Sequence, residues 1–236
     1  MPSYDITLPV HNDMWCYRSG WDNNITTLSD TNHGAADTVY RFDLCSHTGT
    51  YIETAGHKLR SQLSLSDLPP SAFCRQRTAV IRVQPDSRGC VTLRAFLAAL
   101  SADFETPALP NNLIVVSGWG SRHSRTEYLP EAPWFEAELT AHLAALNLHI
   151  LGVDTPIIDD QQQPYDAVKR LFKTNPKCLL LAPLTLPEQV DSGIYELDCL
   201  PLNIIGVSAA PCRAILVQTE SDAAATVQRH EYEIEN

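Results

Sequence analysis

The chain has 236 residues, 44% of them hydrophobic and 19% charged, with a formal net charge of −11. That balance suits a soluble globular protein with a sizeable core, and the lack of a Lys/Arg block argues against a nucleic-acid partner, because phosphate binding needs clustered cations. No apolar run approaches the ~20 residues of a membrane span, MPSYDITLPVHND lacks the basic-then-apolar form of an export signal, and the seven cysteines include no C-x-x-C pair, so no membrane partner, reduced thiols and a cytoplasmic location are expected.

Residues 4–10 alternate well enough for a first strand. Residues 11–21 form a polar loop holding Trp15, Tyr17 and Trp21, whose rings either line a pocket or pack on the body or a partner. Residues 22–37, rich in Asn, Thr, Ser and Asp, read as loop. VYRFDLC (39–45) alternates as a strand and delivers the chain to SHTGTYIETAGH (46–57). Residues 59–73 read as a connector, TAVIRV (78–83) as a strand, and 92–100 as a helix with Thr92 at its N-cap. LIVV (113–116) reads as a strand buried on both faces, ending at Ser117-Gly118-Trp119-Gly120-Ser121-Arg122-His123. A helix is predicted from Pro133 through Leu146, with Phe135, Leu139, His142, Leu143 and Leu146 on one stripe. HILGV (149–153) is a buried strand entering DTPIIDD (154–160), whose Asp154, Asp159 and Asp160 read as turn residues or as cation ligands. A helix at 165–172 and strands at 178–181, 194–197 and 213–217 complete the pattern. Strands alternating with helices predict an α/β fold with a largely parallel component. One domain is expected over 1–218, with 219–236 an acidic polar tail.

The chemistry is concentrated in 46–57. On an extended segment alternate residues share a face, so His47, Tyr51 and Glu53 face one way, and His57 joins them if the chain turns helical after Glu53. Imidazole and carboxylate together suit zinc, manganese or iron. Without a metal the same set supports general acid–base chemistry. The loop after 113–116 offers Trp119 to stack on a planar substrate and His123 or Arg122 to meet a polar group, or else a packed Trp beside a solvated pair. No G-x-S-x-G elbow is present, which argues against a serine hydrolase.

The stretch His47-x-Gly49-Thr50-Tyr51-x-Glu53-x-Ala55-x-His57 resembles the H-x-G-T-H-x-D-x-P-x-H signature of the metal-dependent hydrolase/cyclase family that includes bacterial kynurenine formamidase and isatin hydrolase. Three later segments resemble the same family in the same order: Val116-Ser117-Gly118-Trp119, Leu151 to Asp159, and the closing strands around 200–206 and 210–213. The resemblance implies a swivelling β/β/α fold, a mixed sheet with flanking helices, usually in a homodimer or homotetramer. It also implies metal ligands at the positions of His47, Tyr51 and Glu53 and an acid/base at His57. Here Tyr51 replaces a histidine and Glu53 an aspartate. The family's further His and Glu ligands have no counterpart, since 161–186 contain no histidine and Leu180-Leu181-Ala182-Pro183-Leu184 stands where the family has Ile-Leu-Glu-Asn-Leu.

The resemblance therefore implies an enzyme cleaving an amide or lactone in a small cyclic or aromatic substrate. His57 would be the acid/base, Glu53 its partner and Tyr51 a hydrogen-bond donor. Trp119, His123, Trp15 and Trp21 would form the substrate surface, and His47 and Glu53 would hold one zinc or manganese ion, if any. The alternatives are a metal-independent cyclase, dehydratase or isomerase of secondary metabolism, such as polyketide biosynthesis, and a non-catalytic relative that binds a small molecule or a partner.

Overall fold

The computed structural model describes residues 1–60, 63–104 and 109–218; the tail expected at 219–236 lies outside them. The described strands are β1 (Ser3–Asp5), β2 (Asn24–Ser29), β3 (Val39–Asp43), β4 (Tyr51–Glu53), β5 (Gln76–Arg82), β6 (Cys90–Val91), β7 (Asn112–Val116), β8 (Trp134–Phe135), β9 (Ile150–Val153), β10 (Leu179–Ala182), β11 (Gly193–Pro201) and β12 (Ala209–Val217). The helices are α1 (Leu93–Asp103), α2 (Ala137–Ala145) and α3 (Ala167–Thr174).

Seven strands close into a barrel in the order β12-β11-β5-β7-β9-β10-β4, with β4 pairing back onto β12. β1 adds to the far end of the same β12 edge. The run β5-β7-β9-β10 is parallel, and α1, α2 and α3 are its crossovers, as the strand–helix alternation predicts. The rest of the wall is antiparallel. The result is the mixed sheet with flanking helices expected of a swivelling β/β/α fold.

Period-two alternation divides the core into two. Ile52, Val80, Ile114, Leu181, Leu197 and Ala214, among others, fill the barrel interior. Ala79, Ile81, Val115, Val153 and Leu180 point outward against Phe96, Leu139, Leu143, Leu171 and Phe172 of the helices. Both sets are buried. Continuous apolar runs such as 113–116 arise because both faces of each parallel strand are covered. Thr92 caps α1 as predicted, its hydroxyl accepting from Ala95 N at 3.1 Å.

Two expectations are corrected. Residues 22–37 are not all loop: β2 lies within them and pairs antiparallel with β3. Its Asn, Thr and Ser side chains resemble loop composition because the hairpin packs neither face on the barrel, so no apolar alternation marks it. Pro133 does not open α2. Trp134 and Phe135 pair with Cys90 and Val91 first, and the helix starts at Ala137, because Phe135 N is already engaged by Ile158 O at 3.0 Å.

Candidate active site

β4 positions the chemistry. Its middle residue, Ile52, points into the barrel; Tyr51 and Glu53 therefore point outward. Opposite them on β10 stand Ala182 and Leu180, which belong to the helix-facing layer. The site thus lies on the outer wall of the barrel, not in its lumen. Before β4, Gly49 adopts φ 62. A Cβ there would meet Val10 Cγ2 at 2.8 Å, so only glycine makes the turn that sets His47 over the strand. After β4, the Thr54 hydroxyl accepts from Gly56 N at 3.2 Å and caps the 3₁₀ turn Ala55–His57. That turn swings His57 back onto Glu53.

The three groups converge. His47 Nε2 lies 3.2 Å from Glu53 Oε2, and His57 Nε2 lies 3.7 Å from the same oxygen. The two imidazole centroids are 4.4 Å apart. Glu53 is buried, with a side chain 2% exposed, whereas His57 is 23% exposed and His47 8%. A buried carboxylate requires partners, and the imidazoles are those partners. A carboxylate only accepts, so the hydrogen bond from His47 puts the proton on its Nε2, and its Nδ1 accepts from Ser46 Oγ at 2.8 Å. Burial holds the His57 imidazole below its ordinary pKa; Glu53 opposes this shift, while His47, Lys58 and Arg18 add to it. Burial pushes the Tyr51 phenol well above its usual range and also raises that of Tyr17, so both are neutral phenols.

These groups line a cleft of about 400 Å³, within the usual size for a small-molecule site. Trp21 lines it and sits 5.8 Å from the His47 ring. Trp15 does not line it; it packs against Tyr17 at 4.9 Å and Tyr128 at 5.1 Å and so supports the aromatic loop from behind. Trp119 and His123 are not among the lining residues either. The Trp119 indole N–H donates to Tyr128 O at 2.8 Å, and the Arg122 guanidinium lies 4.6 Å over its ring. Trp119 instead borders a separate depression with Arg125, Glu127 and Glu131.

The acidic segment is structural. Asp154 is buried and accepts from Ser117 N and Ser117 Oγ, both at 2.8 Å. Asp159 accepts from Tyr165 N, and Asp160 from Gln162 N and Gln163 N. Sequence reasoning left Tyr17 between lining a pocket and packing, and did not assign Arg18, Lys58 or Thr155 to the cleft. Only the position of Tyr17 and Arg18 in the aromatic loop, and of Lys58 beside His57, signalled them.

The donor set suits one divalent ion. Ligand atoms of His47, Glu53 and His57 all lie within 4.8 Å of one another. Tetrahedral ligands about 2.1 Å from zinc stand roughly 3.4 Å apart, close to the 3.2 Å between His47 Nε2 and Glu53 Oε2, which leaves His57 beside the pair as the acid/base. Ser46 can accept as well as donate, so it would also serve the tautomer that frees His47 Nε2 for a metal. The set does not suit a second ion: the wall opposite Tyr51 is Ala182, which offers no ligand.

Comparison with known proteins gives the family and the fold. Residues 4–160 match the model of a family described as "Putative cyclase". The chain belongs to that family. It is an enzyme family by its relatives. The kynurenine formamidase of Erythrobacter litoralis is 27% identical over 191 residues, covering 78% of each chain. Among solved structures, isatin hydrolase A from Labrenzia aggregata superimposes with a TM-score of 0.74 at 21% identity, over 92% of this chain and 94% of that one. A predicted metal-dependent hydrolase from Bacillus stearothermophilus gives a TM-score of 0.70 at 20% identity, over 91% and 97%. The fold of this family member is therefore that of these hydrolases. Among the described residues no helix is long and apolar enough to cross a membrane.

Proposed function

We propose that the protein hydrolyses an amide in a small cyclic or aromatic substrate, with His57 transferring the proton. The observation that carries this reading is the pairing of a partly exposed imidazole, held neutral by burial, with a buried carboxylate at one wall of a small-molecule cleft. The kynurenine formamidase and isatin hydrolase relatives support the amide. His57 takes a proton from water as the oxygen attacks the substrate carbonyl, and Glu53 stabilises the imidazolium that forms. The imidazolium then returns the proton to the leaving nitrogen, and an acid and an amine result. Trp21 offers an aromatic face to a planar ring. His47 and Glu53 would hold one zinc or manganese ion, which when bound supplies Lewis acidity and a more acidic water. Incubation with isatin and an N-formylated aromatic amine tests the reading. Ring opening or deformylation that is lost in His57→Ala supports it; full activity in that variant overturns it.

A metal-independent cyclisation or dehydration of a biosynthetic intermediate is the second reading. It is favoured by the neutral Tyr51 phenol and by Ala182 facing it, neither of which binds metal well. Metal content after purification without chelator separates the two. About one ion per chain supports the first, and activity unaffected by EDTA on metal-free protein supports the second.

We also infer a homodimer or homotetramer. The hairpin β2–β3 exposes Leu28 (53%), Tyr40 (53%) and Phe42 (65%), and an isolated two-stranded hairpin is marginal in water. Light scattering should give a multiple of 26.2 kDa, reduced by Phe42→Ser; a monomeric wild type overturns the inference.

A further inference from the structure

The cleft contains two phenols whose protons can be assigned. Tyr17 Oη lies 2.7 Å from the Pro156 carbonyl oxygen and 3.2 Å from Tyr51 Oη. A carbonyl oxygen only accepts, and a tyrosine has a single proton to give. The proton of Tyr17 must therefore lie on the 2.7 Å contact, since otherwise lone pairs would face each other at that distance. The contact between the phenols then uses the proton of Tyr51. The chain of donation runs from Tyr51 to Tyr17 to Pro156 O. The relay is packed on both sides: Trp15 sits edge-on against Tyr17 at 4.9 Å, and Tyr51 is 5% exposed on β4.

Tyr51 therefore does not offer its proton to the cleft, which alters the donor role expected from the sequence. What remains to it is an oxygen lone pair. We propose that Tyr17 is a positioning residue that fixes the hydrogen-bond polarity of Tyr51, so that the cleft selects ligands carrying an N–H donor at that point. The substrate class is the unsubstituted amide: a lactam or formanilide with its N–H intact. An ester, a lactone or an N-alkylated amide places a lone pair or a methyl group where Tyr51 has only lone pairs to offer, and loses affinity. This deepens the amide reading and rests on it.

Oxindole and N-methyloxindole differ only in that N–H, and both resist hydrolysis, so equilibrium binding can be measured by calorimetry without turnover. The wild type should bind oxindole about tenfold more tightly, the scale of one hydrogen bond made against one buried group left unpaired. In Tyr17→Phe the Tyr51 proton has no acceptor and turns to the cleft, and the preference should fall to about unity. Tyr51→Phe should erase it as well. A merely structural Tyr17 would weaken both ligands alike and leave their ratio unchanged, which overturns the proposal. So does equal binding by the wild type, as expected if Tyr51 faces only solvent water, or no measurable binding of either lactam. Isatin and formanilide turnover is read separately: its absence overturns the amide reading, whereas its presence with an unchanged lactam ratio overturns only the assignment of Tyr17.

Discussion

Two stretches of this chain are rich in hydroxyls, glycines and histidine, and the structure uses them differently. Residues 46–57 hold serine, threonines, glycines, a tyrosine, a glutamate and two histidines; residues 117–123 hold serines, glycines, a tryptophan, an arginine and a histidine. In the second stretch most of the polar groups are engaged by the protein itself. Ser117 binds Asp154 through both its N–H and its hydroxyl, the Trp119 indole donates to Tyr128 O, Ser121 Oγ donates to Gly118 O, and Arg122 covers the Trp119 ring. In the first loop the converging imidazoles and carboxylate keep ligand atoms turned towards one another and a cleft. Function thus follows from hydrogen-bonding capacity left open at a cavity. Residue type distinguishes the two only in part, through the carboxylate, the phenol and the second imidazole that 46–57 alone contains.

The sharpest way to break that comparison is to remove one group from each loop. His57→Ala and Glu53→Gln should each lower kcat/KM on an amide substrate by roughly 10²–10⁴, the usual contribution of a positioned acid–base group. Trp119→Phe and His123→Ala should stay within about threefold of wild type. Steady-state kinetics on the four variants decides it; a large loss in the second pair together with a small loss in the first would reverse the roles of the loops. Metal content divides the first loop further. His47→Ala should lose bound zinc or manganese, while His57→Ala keeps it and remains inactive, as mass spectrometry of the metal would show.

The same contrast explains what could be read in advance. The parallel half of the barrel was legible because 113–116 and 149–153 are apolar on both faces, and α1 because Thr92 caps an apolar run. β2 was hidden, since a strand with no buried face carries no alternation. The site on β4 was legible because period two puts Tyr51 and Glu53 together whatever follows. Tyr17 was not: its partner is a backbone carbonyl 139 residues away, and no local pattern encodes a contact of that range. Trp119 and His123 were drawn towards the cleft by their place after a buried strand; the Tyr128 carbonyl that claims the indole is likewise invisible in the local sequence.

If loop 117–123 is scaffold, the comparison predicts where stability is concentrated. Asp154→Ala leaves Ser117 N, Ser117 Oγ and Gly120 N without the buried acceptor they share. Unsatisfied buried donors cost about 1–3 kcal/mol each, partly relieved by relaxation. A net loss of about 3 kcal/mol should lower Tm by roughly 6–12 °C in a domain of this size. Calorimetry on the variant gives the answer, and an unchanged Tm would show that the loop does not depend on this carboxylate. Glu53→Gln, which keeps the shape of the side chain beside both imidazoles, should shift Tm less.

The smallest effect, and the most discriminating, is in pH. His57 and His123 both have pKa values below the ordinary 6.5, with burial the largest cause in each case. For a histidine depressed in this way the neutral form persists as pH falls below 6.5, and protonation sets in only at the lower folded value. A base at His57 should thus give kcat/KM that is level above pH 6.5 and declines about tenfold per unit on an acid limb that begins below it. His123 is shifted in the same direction but does not line the cleft, so His123→Ala should leave the limb where it is. Two imidazoles shifted in the same direction would then have opposite kinetic visibility. An acid limb that moved in His123→Ala would mean that the second loop reaches the chemistry after all. A limb at or above 6.5 in the wild type would mean that the proton is carried by a group other than His57.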